Sequence, residues 1–429
     1  MKYYLLIDFG ASRIKSISIN EKGICQYEVF YSDGGMRKHG ALVPPEFFKI
    51  SIFQHINYAY KMLKVDPHEI LLCTEMHGYS LADKNGVIVT PYYSWRYTAP
   101  NSKSAIDILN RKSAYKLTGM FVRNGLPSVN YIAQEKTESL KQGFFLTLPQ
   151  LICQVSGEEF GVSHVSMTSG TGFYGTGGRV LLVDNLLKSK NGINFPKAIE
   201  SINEPIGVIQ NRSKDIPVFM GIGDFQASVF GANLDHQSIL INIGTGSQIA
   251  QISVTKKRKK LEYRPYLNGE YLACLTHLPA GRALKAWHNI FNEYSSRSSR
   301  KDRFWLTINS LAVEDLDSTG MVFDLAIFDS AYGYKKGGSV KFINESELSF
   351  RIFCAAMIKS LCLQYVELIK YFNLDHVKSI ILTGGIPSRI PVIREAIANY
   401  INLPVEIEDY NIDHSLLGLI KFNRLRGLT

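Results

Sequence analysis

The sequence predicts an α/β protein built from two related halves, and three observations carry that prediction. Two segments echo each other. Leu5-Leu6-Ile7-Asp8-Phe9-Gly10-Ala11-Ser12-Arg13-Ile14-Lys15-Ser16-Ile17-Ser18-Ile19 and Leu240-Ile241-Asn242-Ile243-Gly244-Thr245-Gly246-Ser247-Gln248-Ile249-Ala250-Gln251-Ile252 both run strand, glycine turn, strand. Apolar and polar residues alternate at period two on each side of the turn, which is the pattern of a β-hairpin. Each half also holds a strand that runs into a glycine-rich turn and a helix, as α/β halves do. The echoes lie a little over half a chain apart in 429 residues, which fits a duplicated domain rather than a solenoid.

Taken in order, residues 1–9 read as a first strand. Asp8 interrupts their short apolar run, and no small-residue cleavage site follows, so they do not read as a secretory signal. Ile216-Pro217-Val218-Phe219-Met220 is a strand that leads into Gly221-Ile222-Gly223-Asp224 and a helix over 225–231. The second hairpin follows, then the basic run Lys256-Lys257-Arg258-Lys259-Lys260, which reads as a solvated turn. Ser379-Ile380-Ile381-Leu382 is a strand before Thr383-Gly384-Gly385-Ile386. The helix after it lies within 387–400 and starts near 388–390, because Pro391 is tolerated only in a first turn. Residues 404–407 form a last strand. The domain boundary falls within 221–235, giving units 1–228 and 229–429.

Composition narrows the function class. The net charge is +10, with 45% hydrophobic and 20% charged residues, an ordinary globular balance that excludes a disordered chain. The positive surplus suits nucleic acid, a membrane surface or an anionic small molecule. No aromatic residue interleaves with the basic run, which argues against single-stranded nucleic acid. No stretch approaches the roughly 18 apolar residues of a spanning helix. The six cysteines are scattered without a C-x-x-C pair, as reduced cytoplasmic thiols are.

The chemistry lies in the glycine turns. Glycine lets a backbone approach phosphate oxygens, and successive turn N–H groups bind anions. Two such hairpins at matched places suit a polyphosphate clamp, with Ser12, Thr245 and Ser247 as added donors. Asp8, at the end of the first strand, is placed to hold a hydrated Mg²⁺; its alternative is a turn cap. Lys15 reads either as a phosphate-reaching lysine or as an outward strand lysine. Asp224 opens a helix beside Gly-Ile-Gly, where it serves as a cap, as a general base, or both. Gly170-Thr171-Gly172-Phe173-Tyr174-Gly175 matches G-x-G-x-x-G but lacks the flanking strand, helix and acid of a dinucleotide site. His77 has no second ligand at metal spacing, and Cys153 has no patterned catalytic partner.

With these motifs in hand, the chain resembles the FGGY carbohydrate kinases of the actin and sugar-kinase ATPase superfamily. Asp8-Phe9-Gly10-Ala11-Ser12-Arg13-Ile14-Lys15 resembles that family's first phosphate motif, and Asn242-Ile243-Gly244-Thr245-Gly246-Ser247 its second. Gly221-Ile222-Gly223-Asp224-Phe225-Gln226-Ala227 is similar to the segment with the catalytic Asp, and Thr383-Gly384-Gly385-Ile386-Pro387-Ser388 to the adenosine motif. Met76-His77-Gly78, Tyr93-Ser94-Trp95 and the patches 166–172 and 414–418 agree in order. Residues 263–272 resemble the matching region of sedoheptulokinases. Many relatives continue Trp-x-Asp-x-Arg, whereas Trp95-Arg96-Tyr97-Thr98-Ala99 lacks both the Asp and the Arg.

The resemblance implies two actin-like, ribonuclease H-like domains with a central nucleotide and sugar cleft. It implies ATP and Mg²⁺ as cofactors and a small sugar, such as sedoheptulose, as partner. It implies no nucleic acid and no membrane, and leaves a homodimer open. Asp224 would be the base and Asp8 the metal residue. Gly10, Ala11, Ser12, Lys15, Gly244, Thr245, Gly246, Gly384 and Gly385 would bind nucleotide. His77, Trp95 and Asp224 would bind sugar. The alternative is an actin-like nucleotide switch or an inactive kinase-like protein.

Overall fold

The computed structural model describes residues 2–32, 34–134, 142–175, 178, 192–212, 214–256, 260–294, 302–328, 331–332, 337–407 and 413–427. The chain folds into two compact units. One comprises Met1–Asn233, Tyr263–Tyr271 and Tyr410–Thr429; the other comprises Leu234–Glu262 and Leu272–Asp409.

The first unit is built on a sheet of β1 (Tyr3–Phe9), β2 (Ile14–Asn20), β3 (Phe30–Tyr31), β4 (Glu69–Thr74), β5 (Gly157–Glu159), β6 (Pro205–Asn211) and β7 (Lys214–Gly223). Their order across the sheet is β3-β2-β1-β4-β7-β6-β5. β1 pairs antiparallel with β2 and parallel with β4, and β4 pairs parallel with β7. Period-two alternation decides what each face meets. Leu5, Ile7 and Phe9 pack with Phe48, Ile52 and Ile56 of α1 (Pro45–Leu63) and with Leu148 and Leu151 of α2 (Leu148–Ser156). Leu6 faces the other way. It packs with Ala227 of α3 (Asp224–Gly231) and with Leu416, Leu419 and Phe422 of a helix near the C-terminus, His414–Arg426. Each such fully buried aliphatic side chain stabilises the fold by about 1.5–3 kcal/mol. Asp8 shares the parity of Leu6 and so belongs to the face covered by these two helices.

That helix and α3 touch at two glycines. A Cβ on Gly231 would run into the His414 carbonyl, and one on Gly418 into the carbonyl of Ala227. A side chain at either position would separate the two helix starts, which carry Asp224 and Ser415. β7 holds a bulge between Met220 and Ile222, where Met220 and Gly221 have φ of 72° and 53°. Ile216 and Val218 therefore face α1, while Met220 and Ile222 face α3. The extra residue re-aims the strand end just before Asp224.

The second unit repeats the plan. β8 (Ser238–Ile243), β9 (Ser247–Ser253), β10 (Tyr271–Leu278), β11 (Ser379–Thr383) and β12 (Val405–Ile407) stand in the order β10-β9-β8-β11-β12. β8 pairs antiparallel with β9 and parallel with β11, which pairs parallel with β12. Thus β2-β1-β4-β7 and β9-β8-β11-β12 have the same order and directions. Three of this unit's helices are α4 (Gly281–Tyr294), α5 (Phe350–Ile369) and α6 (Pro391–Ile401); the first unit's His414–Arg426 is α7. The α6 helix begins at Pro391, with Ile390 as its cap, slightly later than the sequence suggests.

One sequence expectation needs correction. α5 is 20 residues long with a mean hydropathy of 1.6, enough in length and composition to span a bilayer, although its best window is 56% buried inside the protein. Cys354, Met357, Ile358, Leu361 and Tyr365 form its buried side, so it also reads as a core helix. Five of the six free cysteines are buried; Cys25 is exposed.

Candidate active site

The first unit gathers charged residues at the ends of β1, β4 and β7. Asp8, at 3% exposure, stands opposite Lys15 in the hairpin register. Lys15 Nζ lies 3.0 Å from Asp8 Oδ2 and 2.6 Å from Asp413 Oδ2. Ser415 Oγ donates to Asp8 Oδ2 at 2.5 Å. Asp413 caps α7 by accepting from Ser415 N at 3.1 Å, so the same Asx turn that starts the helix delivers both groups. Burial disfavours the Lys15 charge, yet the Asp8 and Asp413 carboxylates outweigh it and hold the ammonium above its ordinary pKa. Burial pushes Asp413 up, and Lys15 more than offsets this and draws it below its usual range. Asp8 Oδ1 is buried without a hydrogen-bond partner.

Asp224 is the first residue of α3, with Gly223 as the cap. Its Oδ1 accepts from Phe225 N at 2.8 Å. Gly223 N in turn donates to Ser166 Oγ at 3.1 Å, which fixes the strand end. Although Asp224 keeps some accessible surface, its carboxyl is pushed up from 3.8 to about 8. Desolvation is the main cause, followed by the charges of Asp8 and Glu75. Asp224 and Asp8 are thus electrostatic neighbours.

The expected sugar-side residues lie in the same unit. His77 has φ of 63°, and its Nδ1 donates to the Gly170 carbonyl at 2.6 Å, which fixes the tautomer. Trp95 is half-buried, and the Arg96 guanidinium lies 5.6 Å from its ring centroid. Beside them is Glu75, 2% exposed, whose carboxyl is pushed up to about 7 by burial, against the pull of Arg96, Tyr92 and Trp95. Gly10, Ala11, Ser12 and residue 13 form the β1–β2 turn. The Ala11 carbonyl accepts from Arg37 N, and Gly35 packs on the Ser12 backbone.

In the second unit the two glycine turns meet. A Cβ on Gly384, whose φ is 95°, would stand 2.5 Å from the Ile243 carbonyl, and Ile386 N donates to that carbonyl. The Gly244 and Thr245 carbonyls accept from Gly281 N and Arg282 N, at 3.0 and 2.7 Å, at the start of α4. These bonds occupy carbonyls that would otherwise repel a phosphate. A Cβ on Gly385 would meet nothing within 4 Å, and one on Gly244 or Gly246 only a carbonyl at 3.7 or 3.9 Å. Gly244, Gly246 and Gly385 thus leave open space beside their backbone, whereas Gly384 is closed in against Ile243 and Asn242. Of the basic run, Lys257, Arg258 and Lys259 lie outside the described residues, and Lys260 rests over the Tyr371 ring at 4.4 Å.

Sequence reasoning missed three charged residues near the site, Glu75, Arg96 and Asp413, and the hydroxyl of Ser415. Asp413-His414-Ser415 before an apolar run is a readable helix cap, but nothing local shows that it meets Asp8. Among the described residues, no group of three or more His, Cys, Asp or Glu forms a metal cage. The orphaned Asp8 oxygen instead fits a cation held through water, as Mg²⁺ often is.

No family model matches the chain, and no curated protein matches it. Solved structures do. A ligand-bound xylulose kinase from Lactobacillus acidophilus superposes with a TM-score of 0.83 at 16% identity, over 100% of this chain and 90% of the other. A gluconate kinase from Lactobacillus acidophilus gives 0.82 at 18% identity, with 100% and 90% covered. Plasmodium falciparum glycerol kinase with ADP gives 0.79 at 13%, again with 100% and 90% covered. The two α/β units of this chain therefore have the actin-like fold of these sugar and glycerol kinases.

Proposed function

We propose that this chain is an ATP-dependent carbohydrate kinase of the FGGY family, acting in the cytoplasm. It transfers the γ-phosphoryl group of ATP to a sugar hydroxyl. The observation that carries the reading is the Asp224 carboxyl, raised to about 8 at the head of a helix beside Asp8. A carboxyl poised near neutrality suits proton transfer in either direction. Positive charge brought beside Asp8 lowers the Asp224 pKa, so loading the site favours its carboxylate form.

In this proposal the first unit binds sugar through His77, Trp95 and Asp224. The second binds nucleotide, with Gly244, Thr245 and Gly246 at the phosphates and Gly384 and Gly385 at the adenosine. Gly10, Ala11 and Ser12 offer turn N–H groups to phosphate, and the third N–H of Lys15 is left for an oxygen. Asp8 Oδ1 is the atom to hold Mg²⁺ through water; when bound, the ion offsets charge on the phosphate oxygens. Asp224 takes the proton of the attacking hydroxyl. A bond forms between that oxygen and the γ-phosphorus, and the bond from phosphorus to the ADP oxygen breaks. Residues 263–272 make a ketose such as sedoheptulose the first candidate.

The test is ADP release from Mg·ATP across ketoses, aldoses, polyols and heptoses, for wild type and Asp224→Asn. Stimulation by one acceptor, abolished in the variant while ATP still binds, supports the proposal. ATP binding with no stimulation by any acceptor overturns it in favour of a nucleotide switch or an inactive relative.

A further inference from the structure

Five buried polar atoms in one small region of the first unit reach no partner in good hydrogen-bond geometry: both carboxylate oxygens of Glu75, Nε and Nη1 of Arg96, and the hydroxyl of Tyr92, which with Trp95 makes only a loose polar contact with Glu75. Arg96 Nη1 approaches Glu75 Oε2 only to 3.9 Å, within ion-pair range but too long for a hydrogen bond. Buried polar groups in folded proteins are nearly always paired, and each orphan costs about 1–3 kcal/mol. Such a cluster is expected where a ligand supplies the missing partners.

The side chains are held in place. Glu75 N donates to the Phe9 carbonyl at 2.9 Å. Arg96 Nη2 donates to the Gly40 carbonyl at 3.0 Å, and its guanidinium lies 5.6 Å from the Trp95 ring centroid. The Glu75 charge acts on Asp224, which places the pair beside the proposed base.

We propose that Glu75 and Arg96 form the acceptor-recognition pair, gripping neighbouring hydroxyls of a neutral polyol. This rests on the kinase reading above. A carboxylate only accepts hydrogen bonds and a guanidinium only donates them. Two adjacent hydroxyls, each both donor and acceptor, satisfy both sides at once. Above pH 7, where the Glu75 carboxyl is ionised, a sugar acid would bring its own negative charge against it, so the pair favours the uncharged acceptor. Neither residue performs chemistry; both set specificity.

The experiment is steady-state kinetics of wild type, Glu75→Gln and Arg96→Gln. ATP and the best neutral acceptor are varied separately, and the matching aldonic acid is run in parallel. The expected result is a rise of at least about tenfold in KM for the neutral acceptor in each variant, with the KM for ATP unchanged. Wild type should prefer the neutral acceptor to the acid. An unchanged acceptor KM, an equal rise in the KM for ATP, or a preference for the acid overturns the assignment. If Glu75→Gln fails to fold, the partly exposed Arg96→Gln carries the test. If wild type releases no ADP with any acceptor, the kinase reading fails. Calorimetric titration of the same polyols then decides this one: binding weakened in both variants upholds the pair, and no binding by wild type overturns it.

Discussion

The hairpin at Gly10 and the hairpin at Gly244–Gly246 share strand order, direction and turn position, yet they carry opposite chemistry. In the first, Asp8 stands across from Lys15; in the second, the same cross-strand place holds Asn242 opposite Gln248. The first turn belongs to an ion-pair cluster of Asp8, Lys15 and Asp413, to which the Ser415 hydroxyl donates. The second is neutral, and its carbonyls are taken up by the start of α4. The two copies share the backbone of the hairpin. The charged pair stands in one copy only.

The largest expected effect falls on Asp224. Asp224→Asn should lower acceptor-stimulated ADP release about 10²–10⁴-fold while ATP binding persists. Its stability should move the other way. Folding raises this carboxyl from 3.8 to about 8, so the native state favours the protonated form. The contribution of that form is full below 3.8 and fades as pH rises towards 8. Asparagine has no such fade, so the variant should melt higher than wild type near pH 8 and by less near pH 5. A variant that melts lower at pH 8 would remove the argument that burial and the neighbouring charges disfavour this carboxylate.

The next test makes the hairpins alike. Asp8→Asn should raise the Mg²⁺ concentration needed for half-maximal turnover, an unchanged metal dependence counting against its role, and should destabilise the fold by about 1–3 kcal/mol in urea titration. That is less than the loss for an isolated buried pair, because Asp413 still faces Lys15. The reverse change, Asn242→Asp, should weaken ADP binding several-fold by repulsion; unchanged affinity would take the nucleotide away from this turn.

Smaller effects separate two adjacent glycines. Gly384→Ala should cost about 1–3 kcal/mol, since its left-handed φ and the Ile243 carbonyl both exclude a side chain. Gly385→Ala has open space, so its stability should change by less than about 0.5 kcal/mol. Weaker ADP binding in that variant would then report direct contact. The smallest effect is at Lys260→Ser, which loses only the Tyr371 ring contact. It should leave both KM values unchanged.

What was legible in the sequence was local. Two hairpins, the strand ends at Asp8 and Gly223, and the helix starting at Asp224 follow from alternation, glycine and capping within a few residues. The bulge at Met220–Gly221 left only a glycine as its mark. The partners of Asp8 were not legible, because Ser415 is 407 positions away and is brought in by packing at Gly231 and Gly418. Arg96 was visible only as a departure after Trp95. That it faces Glu75 depends on how the loop after β4 folds back.

The bond from Ser415 to Asp8 also has a consequence in time. At about 5–20 residues per second, a ribosome makes Ser415 roughly 20–80 s after Asp8, given their separation of 407 positions. During that interval β1 can pair with β2 and β4, but Asp8 and Lys15 lack the groups that complete their pairing. The nascent first unit must therefore wait, with a buried acid and base incompletely matched, while the whole second unit is translated. Slower translation of residues 234–409 should therefore lengthen the interval before Ser415 can reach Asp8.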